Sequence, residues 1–164
     1  DKEALFLRAL DGYTEMARGI MQSALVDQDL SALIAFMEGM TVERPPDSPG
    51  TWGCLMVNTV LDVRSMSAAV QAKVTAYRQM LIDCYASCLR CARSNGQIKA
   101  TDAEIESRAT YLLTSMWGNL TTIRLFGNAK AIVPAIETLV ATIEGWRSPA
   151  KKPPRRKRSA KGSS

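Results

Sequence analysis

Four cysteines are the first residues in this chain whose type and spacing could do chemistry. Cys84, Cys88 and Cys91 recur at helical spacing, so they share one face, and Cys54 could approach it. Four thiolates could hold zinc or sense oxidants. The three positions also coincide with an apolar stripe, neutral cysteine is often buried, and CxxC spacing is absent. We therefore interpret them as reduced core residues of a cytoplasmic protein with no metal, and keep a cysteine-based metal or redox sensor as an alternative.

Enzyme chemistry has little support in the sequence. The chain contains no histidine, which removes Ser-His and Cys-His nucleophile pairs and the usual general base near neutral pH. The acidic residues are scattered over polar faces, and no glycine-rich phosphate loop is present. We predict a protein that is not an enzyme and needs no cofactor.

A second group of side chains could enclose a small molecule. Methionines form adaptable walls, Tyr and Trp can stack and donate one hydrogen bond each, and a buried Asn needs partners. The candidate ligand-binding residues are Met37, Met40, Trp52, Met56, Asn58, Thr59, Tyr77, Met80, Cys84, Tyr111, Met116 and Trp117. No charge recurs among them, so we predict a neutral or only partly charged apolar effector, oriented by Asn58. The alternative is that Asn58 bonds a neighbouring helix and the methionines fill the core.

Helices must position these residues, because no segment alternates with period two. Glycine and proline cluster at 45–50, 95–96 and 127–128 and after residue 148. Between these breaks six helices are predicted: one that starts at residue 1 and has its last apolar position at residue 24, and five more at about 28–42, 54–63, 67–94, 101–126 and 129–146. With 46 % apolar and 23 % charged residues, the composition is that of an ordinary globular domain. The predicted fold class is an all-α, six-helix bundle.

Local patterns define several helix ends and faces. Asp1 can cap the first helix, and Thr101 or Asp102 can cap the fifth; if Thr101 is the cap, Glu104 stands at the capping-box position. Pro134 is expected to bend the sixth helix or shift its start. The apolar face of the first helix is predicted to comprise Phe6, Leu10, Tyr13, Ala17, Ile20 and Ala24.

The last two predicted helices carry more apolar surface than one chain can cover. Leu113, Trp117 and Leu125 fall outside the main stripe of the fifth helix. We therefore predict a homodimer in which these two helices and their copies form a four-helix interface about a twofold axis. The candidate interface residues are Leu113, Trp117, Ile136, Val140 and Ile143.

The net charge of +5 is unevenly distributed. Seven of the 21 basic residues lie in 148–164, which leaves 14 basic against 16 acidic residues, a net charge of −2, in 1–147. The predicted domain, 1–147, therefore offers no basic face for nucleic acid, and 148–164 is predicted to be a disordered basic tail. No run approaches 18 consecutive apolar residues, so no membrane span is predicted.

Three segments resemble TetR-type transcriptional regulators. DKEALFLRALDGY at Asp1 to Tyr13 is similar to the start of the helix that follows their DNA-binding head. WGCLMVNTVLD at Trp52 to Asp62 resembles the Gly-Cys-Leu-x-x-Asn stretch of one large branch of the family. TYLLTSMWGNLTTIRLFGNAKAIVPAIETLVATI resembles the family's last two helices, and the likeness extends over about 1–146.

The resemblance implies the regulatory core of a homodimeric repressor. In such proteins a small effector enters a helical pocket, the reading heads move, and the operator is released. The helix-turn-helix head is absent from this sequence, so operator DNA would be contacted only through a head outside it. A helical dimerisation or adaptor module without a ligand is the alternative to this function.

Overall fold

The computed structural model describes residues 1–45 and 48–149, and within them the chain is almost entirely helical. The helices are α1 (Lys2–Leu25), α2 (Leu30–Gly39), α3 (Leu55–Val60), α4 (Ala68–Ser94), α5 (Asp102–Phe126) and α6 (Val133–Glu144). Short 3₁₀ turns occupy Pro49–Trp52, Val63–Ser65 and Ala129–Ile132. The described part contains no strand, only an isolated bridge between Ile98 and Arg147. The predicted all-α, six-helix fold is confirmed.

Capping residues set most helix ends. The Asp1 carboxylate accepts a hydrogen bond from the backbone N–H of Ala4 at 2.8 Å, and Thr101 with Glu104 completes a capping box on α5. Gly127, with φ of 69°, ends α5 in the left-handed conformation. The sixth predicted helix is divided, because 129–132 forms a 3₁₀ turn and α6 starts at Val133 with Pro134 in its first turn.

The central helix of the bundle is α4, which packs against α1 on one side and α5 on the other. It runs parallel to α1, since Asp11 pairs with Lys73 and Tyr13 packs against Tyr77. The predicted apolar stripe of α4 is buried except for half-buried Cys91; it consists of Val70, Val74, Tyr77, Leu81, Cys84, Cys88 and Cys91. Helix α2 covers α1 and α4, and α6 packs mainly on α2.

The buried face of α1 differs from the prediction in its second half. Leu10 and Ala17 are buried as expected, but Met21 and Leu25 continue the face, and Ile20 is 55 % exposed. Helical spacing allows either continuation after Ala17. The choice of Met21 and Leu25 leaves the opposite edge, with Met16 and Ile20, open to solvent.

A polar network joins three chain segments at one end of the bundle. The Gln97 side chain accepts a hydrogen bond from the Leu30 N–H at 3.0 Å and donates one to the Asp29 carboxylate at 2.9 Å. Its backbone carbonyl accepts from the Ser148 N–H at 2.7 Å. Hydrogen bonds of Gln97 therefore join three segments: the turn before α2, the loop after α4 and the segment after α6.

The predicted tail, 148–164, lies outside the described residues from 150 onward. In the described part, no helix is long and apolar enough to cross a lipid bilayer.

Candidate functional site

A central cavity of about 380 Å³ lies between α1, α2, α4 and α5. Its buried floor is formed by Ala17, Met21, Cys54, Tyr77, Leu81 and Met116. Its mouth carries the exposed residues Met16, Ile20, Ala35, Gly39 and Arg44. Half-buried Tyr13, Phe36, Met40 and Leu120 complete the walls. The volume and the apolar lining suit a small organic molecule.

Three weakly polar side chains meet inside the cavity. The Cys54 Sγ lies 3.9 Å from the Tyr77 Oη, and the Tyr13 and Tyr77 ring centroids are 6.0 Å apart. Burial, and then the neighbouring Cys54, raises the pKa values of both phenols well above their ordinary range. Both hydroxyl groups therefore stay protonated at neutral pH and can donate hydrogen bonds to a ligand.

Arg44 brings the only formal charge among the described residues that line this cavity. It follows α2 and reaches the mouth from the irregular segment before the first 3₁₀ turn. Its positive charge acts against the rise in the pKa of Tyr13, which lines the same cavity. The adjacent acid, Glu43, binds the Lys130 Nζ at 2.8 Å.

The structure brings together three of the sequence-predicted ligand-binding residues. Met40, Tyr77 and Met116 line the central cavity. Met37 and Met56 are fully buried core residues outside its lining. Met80 and Cys84 instead line a separate open depression of about 480 Å³ between α1 and α4.

The other predicted ligand-binding residues lie away from the cavity. Trp52 is 61 % exposed. The half-buried Asn58 side chain donates a long 3.4 Å hydrogen bond to the backbone carbonyl of Trp52. Thr59 is buried, but its hydroxyl bonds the Leu55 carbonyl within α3. The α5 residues Tyr111 and Trp117 are exposed and half-buried, respectively.

Several cavity residues were not among the sequence-based candidates. Tyr13, Phe36 and Cys54 have the apolar spacing of ordinary core residues, so their positions alone did not distinguish a cavity wall from a filled core. Met16 and Ile20 are exposed rather than buried. Arg44 lies in a proline-rich break, where no helical period indicates which way a side chain faces.

The predicted interface residues fall into two groups. Leu113, Ile136 and Ile143 are already buried inside the single chain, whereas Trp117 and Val140 are half-buried. A groove of about 340 Å³ separates α5 from α6, lined by Tyr111, Ser115, Gly118, Asn119, Ala135, Thr138 and Leu139. Leu125 and Phe126 add 76 % and 61 % exposed apolar side chains at the end of α5.

The remaining cysteines do not form a shared site. All four carry free thiols. Burial raises the pKa of Cys84, and raises that of Cys88 to about 12, so both stay protonated and poorly nucleophilic. Within 1–45 and 48–149, no three Cys, Asp or Glu side chains lie close enough together to hold a metal ion.

Comparisons with known proteins agree with this architecture. The structure of reduced Escherichia coli NemR superimposes with a TM-score of 0.72, covering 92 % of this chain and 77 % of NemR at 16 % identity, which shows a shared fold. No curated protein matches the chain. The family model described as the tetracyclin repressor-like C-terminal domain matches residues 27–139, well over half of the chain. The chain therefore belongs to the TetR C-terminal domain family, as its sequence segments predicted.

Proposed function

We propose that this chain is the regulatory core of a cytoplasmic TetR-type repressor that binds a small effector in the central cavity and forms a homodimer. The observation that carries the proposal is a cavity of about 380 Å³ inside a domain of this family. Operator DNA would be contacted through a head outside this sequence.

Helix α1 provides the route from effector to DNA in this proposal. Tyr13, Met16 and Ile20 place about two turns of α1 in the cavity wall. In the TetR resemblance, the DNA-binding head precedes this helix. A bound molecule that packs between α1 and α2 would favour one position of α1 over another, and that preference would reach the head.

The cavity can be tested with N-phenyl-1-naphthylamine, a neutral dye that fluoresces in apolar sites. Ala35→Trp puts an indole at the exposed mouth and should weaken dye binding at least about tenfold, a loss of roughly 1.4 kcal/mol. Ala103→Trp, at an exposed position near the start of α5, is the matched control and should bind like the unmodified chain. Absence of dye binding, or equal binding by both variants, would contradict an effector site in the cavity.

The homodimer is proposed to form through α5 and α6. Its support is the groove between these helices, together with exposed Leu125 and Phe126. Val140→Glu places an unpaired charge on half-buried α6 surface and should give monomer or aggregate, whereas Ala9→Glu on exposed α1 should remain dimeric. Sedimentation velocity measures this. A stable monomer for the unmodified chain would overturn the proposed homodimer.

A thiol sensor is the second candidate, favoured by the position of Cys54 in the cavity wall. An oxidant that enters the cavity would meet this thiol, whereas Cys84 and Cys88 have raised pKa values. The test is dimedone labelling of sulfenic acid after treatment with hydrogen peroxide, read by mass spectrometry. Labelling that disappears in Cys54→Ser and persists in Cys91→Ser supports a sensor. Labelling of Cys91 alone contradicts it.

A further inference from the structure

We propose that the central cavity selects an amphipathic anion, with an apolar body inside and one anionic group at Arg44. The inference rests on the proposed effector site and names the chemical class of its ligand. It also replaces the neutral apolar effector expected from the sequence, because that expectation did not include Arg44 among the cavity residues.

The charge balance of the lining favours an anion. Among the described lining residues, Arg44 is charged and none is acidic. A cationic ligand would therefore enter beside a like charge, with no carboxylate among the described lining residues to meet it. The acid beside Arg44 in sequence, Glu43, forms an ion pair with Lys130 at 2.8 Å, so its carboxylate is paired with a different cation. The cavity mouth is therefore a positively charged edge on an otherwise apolar site.

The geometry separates the two parts of such a ligand. Arg44 is exposed at the mouth, where an anionic group would keep part of its hydration and avoid the cost of full burial. The buried floor, with Met21, Leu81 and Met116, is apolar and would receive the hydrocarbon body. The two ends of the cavity thus match the two ends of an amphipathic molecule.

The phenol groups of Tyr13 and Tyr77, further inside the cavity, also favour an anionic ligand. Tyr13 and Tyr77 carry hydroxyl groups that remain protonated at neutral pH, and both residues line the same cavity as Arg44. A protonated phenol donates to an acceptor oxygen, and donation to an anionic oxygen is stronger than to a neutral one. Arg44 at the mouth and the two phenols in the lining are therefore donors that favour a carboxylate or sulfonate over a neutral polar group.

A matched pair of dyes tests the charge preference. 1-Anilinonaphthalene-8-sulfonate and N-phenyl-1-naphthylamine share one aromatic body, and only the first carries a sulfonate. We expect the anionic dye to bind more tightly, and Arg44→Gln to weaken it about three- to tenfold while leaving the neutral dye within twofold. Arg64→Gln, at an exposed position outside the cavity, is the control and should change neither dye. The affinity of the anionic dye alone should fall as salt rises.

The outcomes separate this inference from the proposed effector site. Neutral-dye binding that is lost in Ala35→Trp, with no preference for the anionic dye and no effect of Arg44→Gln, would leave the effector site standing and overturn the anion preference. Failure of both dyes to bind would overturn the effector site itself. An anionic dye weakened by Arg44→Gln but unaffected by Ala35→Trp would place the anion outside the cavity and also overturn the inference.

Discussion

The same helices build a closed half and an open half of this domain. At the C-terminal ends of α1 and α4, Leu25, Cys88 and Leu89 have no exposed surface. In the turns before these ends, residues from Tyr13 to Met21 of α1 and from Tyr77 to Leu81 of α4 line a cavity of about 380 Å³. Tyr85 separates the two halves, because its hydroxyl donates to the Met116 Sδ and its ring packs edge-on against Phe36, a cavity residue.

The difference indicates that hydrogen bonds between the segments that connect the helices, as well as apolar content, determine which part of a helical bundle is closed to solvent. At the closed end, Gln97 fastens three chain segments through the Leu30 N–H, the Asp29 carboxylate and the Ser148 N–H. Beside the cavity, α2 ends at Gly39, and Met40 and Arg44, which follow it, line the cavity. The end joined by Gln97 leaves Leu25, Cys88 and Leu89 without exposed surface, while the cavity leaves space that a ligand can occupy.

The largest expected effect contrasts two leucines of α4 with almost no exposed surface. Leu89→Ala opens a new void in the closed half and should cost about 3–5 kcal/mol of unfolding free energy. Leu81→Ala enlarges an existing cavity that solvent already reaches, so mainly the transfer term is lost, about 2–3 kcal/mol. Urea denaturation measures both. Equal losses would mean that the open half is as tightly packed as the closed half.

The polar network around Gln97, at the closed end of the bundle, is tested by Gln97→Ala. The variant leaves the N–H of buried Leu30 without its acceptor and removes a bond to Asp29, so it should cost about 1–2 kcal/mol. Gln71→Ala removes an exposed bond to the Met66 carbonyl and should cost under about 0.5 kcal/mol. Chemical denaturation of the two variants side by side provides the comparison. A neutral Gln97→Ala would show that the network does not hold the closed end.

The sequence predicted the closed half better than the open half. In α4, the 3.6-residue period predicted Cys84 and Cys88 as core residues, and both are buried because neighbouring helices cover that face. Capping chemistry likewise predicted that α5 starts at Thr101 or Asp102, and Thr101 forms a capping box with Glu104, three positions further on. Such local rules leave little freedom once the residue types are known.

The cavity was not predicted from the sequence because periodicity identifies the buried face of a helix, but it does not show whether the space in front of that face is filled by side chains. Met37 of α2 and Met40, the residue that follows this helix, lie about one turn apart, yet the first is fully buried in the core and only the second lines the cavity. Asn58 is a polar residue in an otherwise apolar helix, a pattern that suggests a ligand, but its side-chain amide donates a hydrogen bond to the Trp52 carbonyl instead. Arg44 has no periodic neighbours, so only the path of the irregular segment brings it to the mouth.

The polar network around Gln97 also predicts that the stability of the domain depends on pH through Asp29. The hydrogen bond from Gln97, followed by backbone N–H groups of α2, holds the pKa of this carboxyl below its ordinary value. Its contribution to stability is therefore complete above the unfolded-state pKa and is lost as pH falls through the folded-state pKa. The stability difference between the unmodified chain and Asp29→Asn, below about 1 kcal/mol because water partly screens this half-buried group, should shrink from pH 7 to pH 3. Denaturation at both pH values measures it, and a difference that grows on acidification would reverse the assigned sign.

The smallest effects distinguish the two halves through a pair of tyrosines on α4. Tyr85→Phe removes a fully buried hydroxyl and its 2.9 Å bond to the Met116 Sδ, so it should cost about 0.5–1 kcal/mol. Tyr77→Phe removes a hydroxyl whose contact is the Cys54 Sγ at 3.9 Å beside open space, so it should cost under about 0.5 kcal/mol. Binding of 1-anilinonaphthalene-8-sulfonate should respond in the opposite order, because the Tyr77 hydroxyl faces the cavity. If Tyr85→Phe weakened the dye more than Tyr77→Phe did, Tyr85 would belong to the binding wall, and the boundary between the halves would lie deeper along α4.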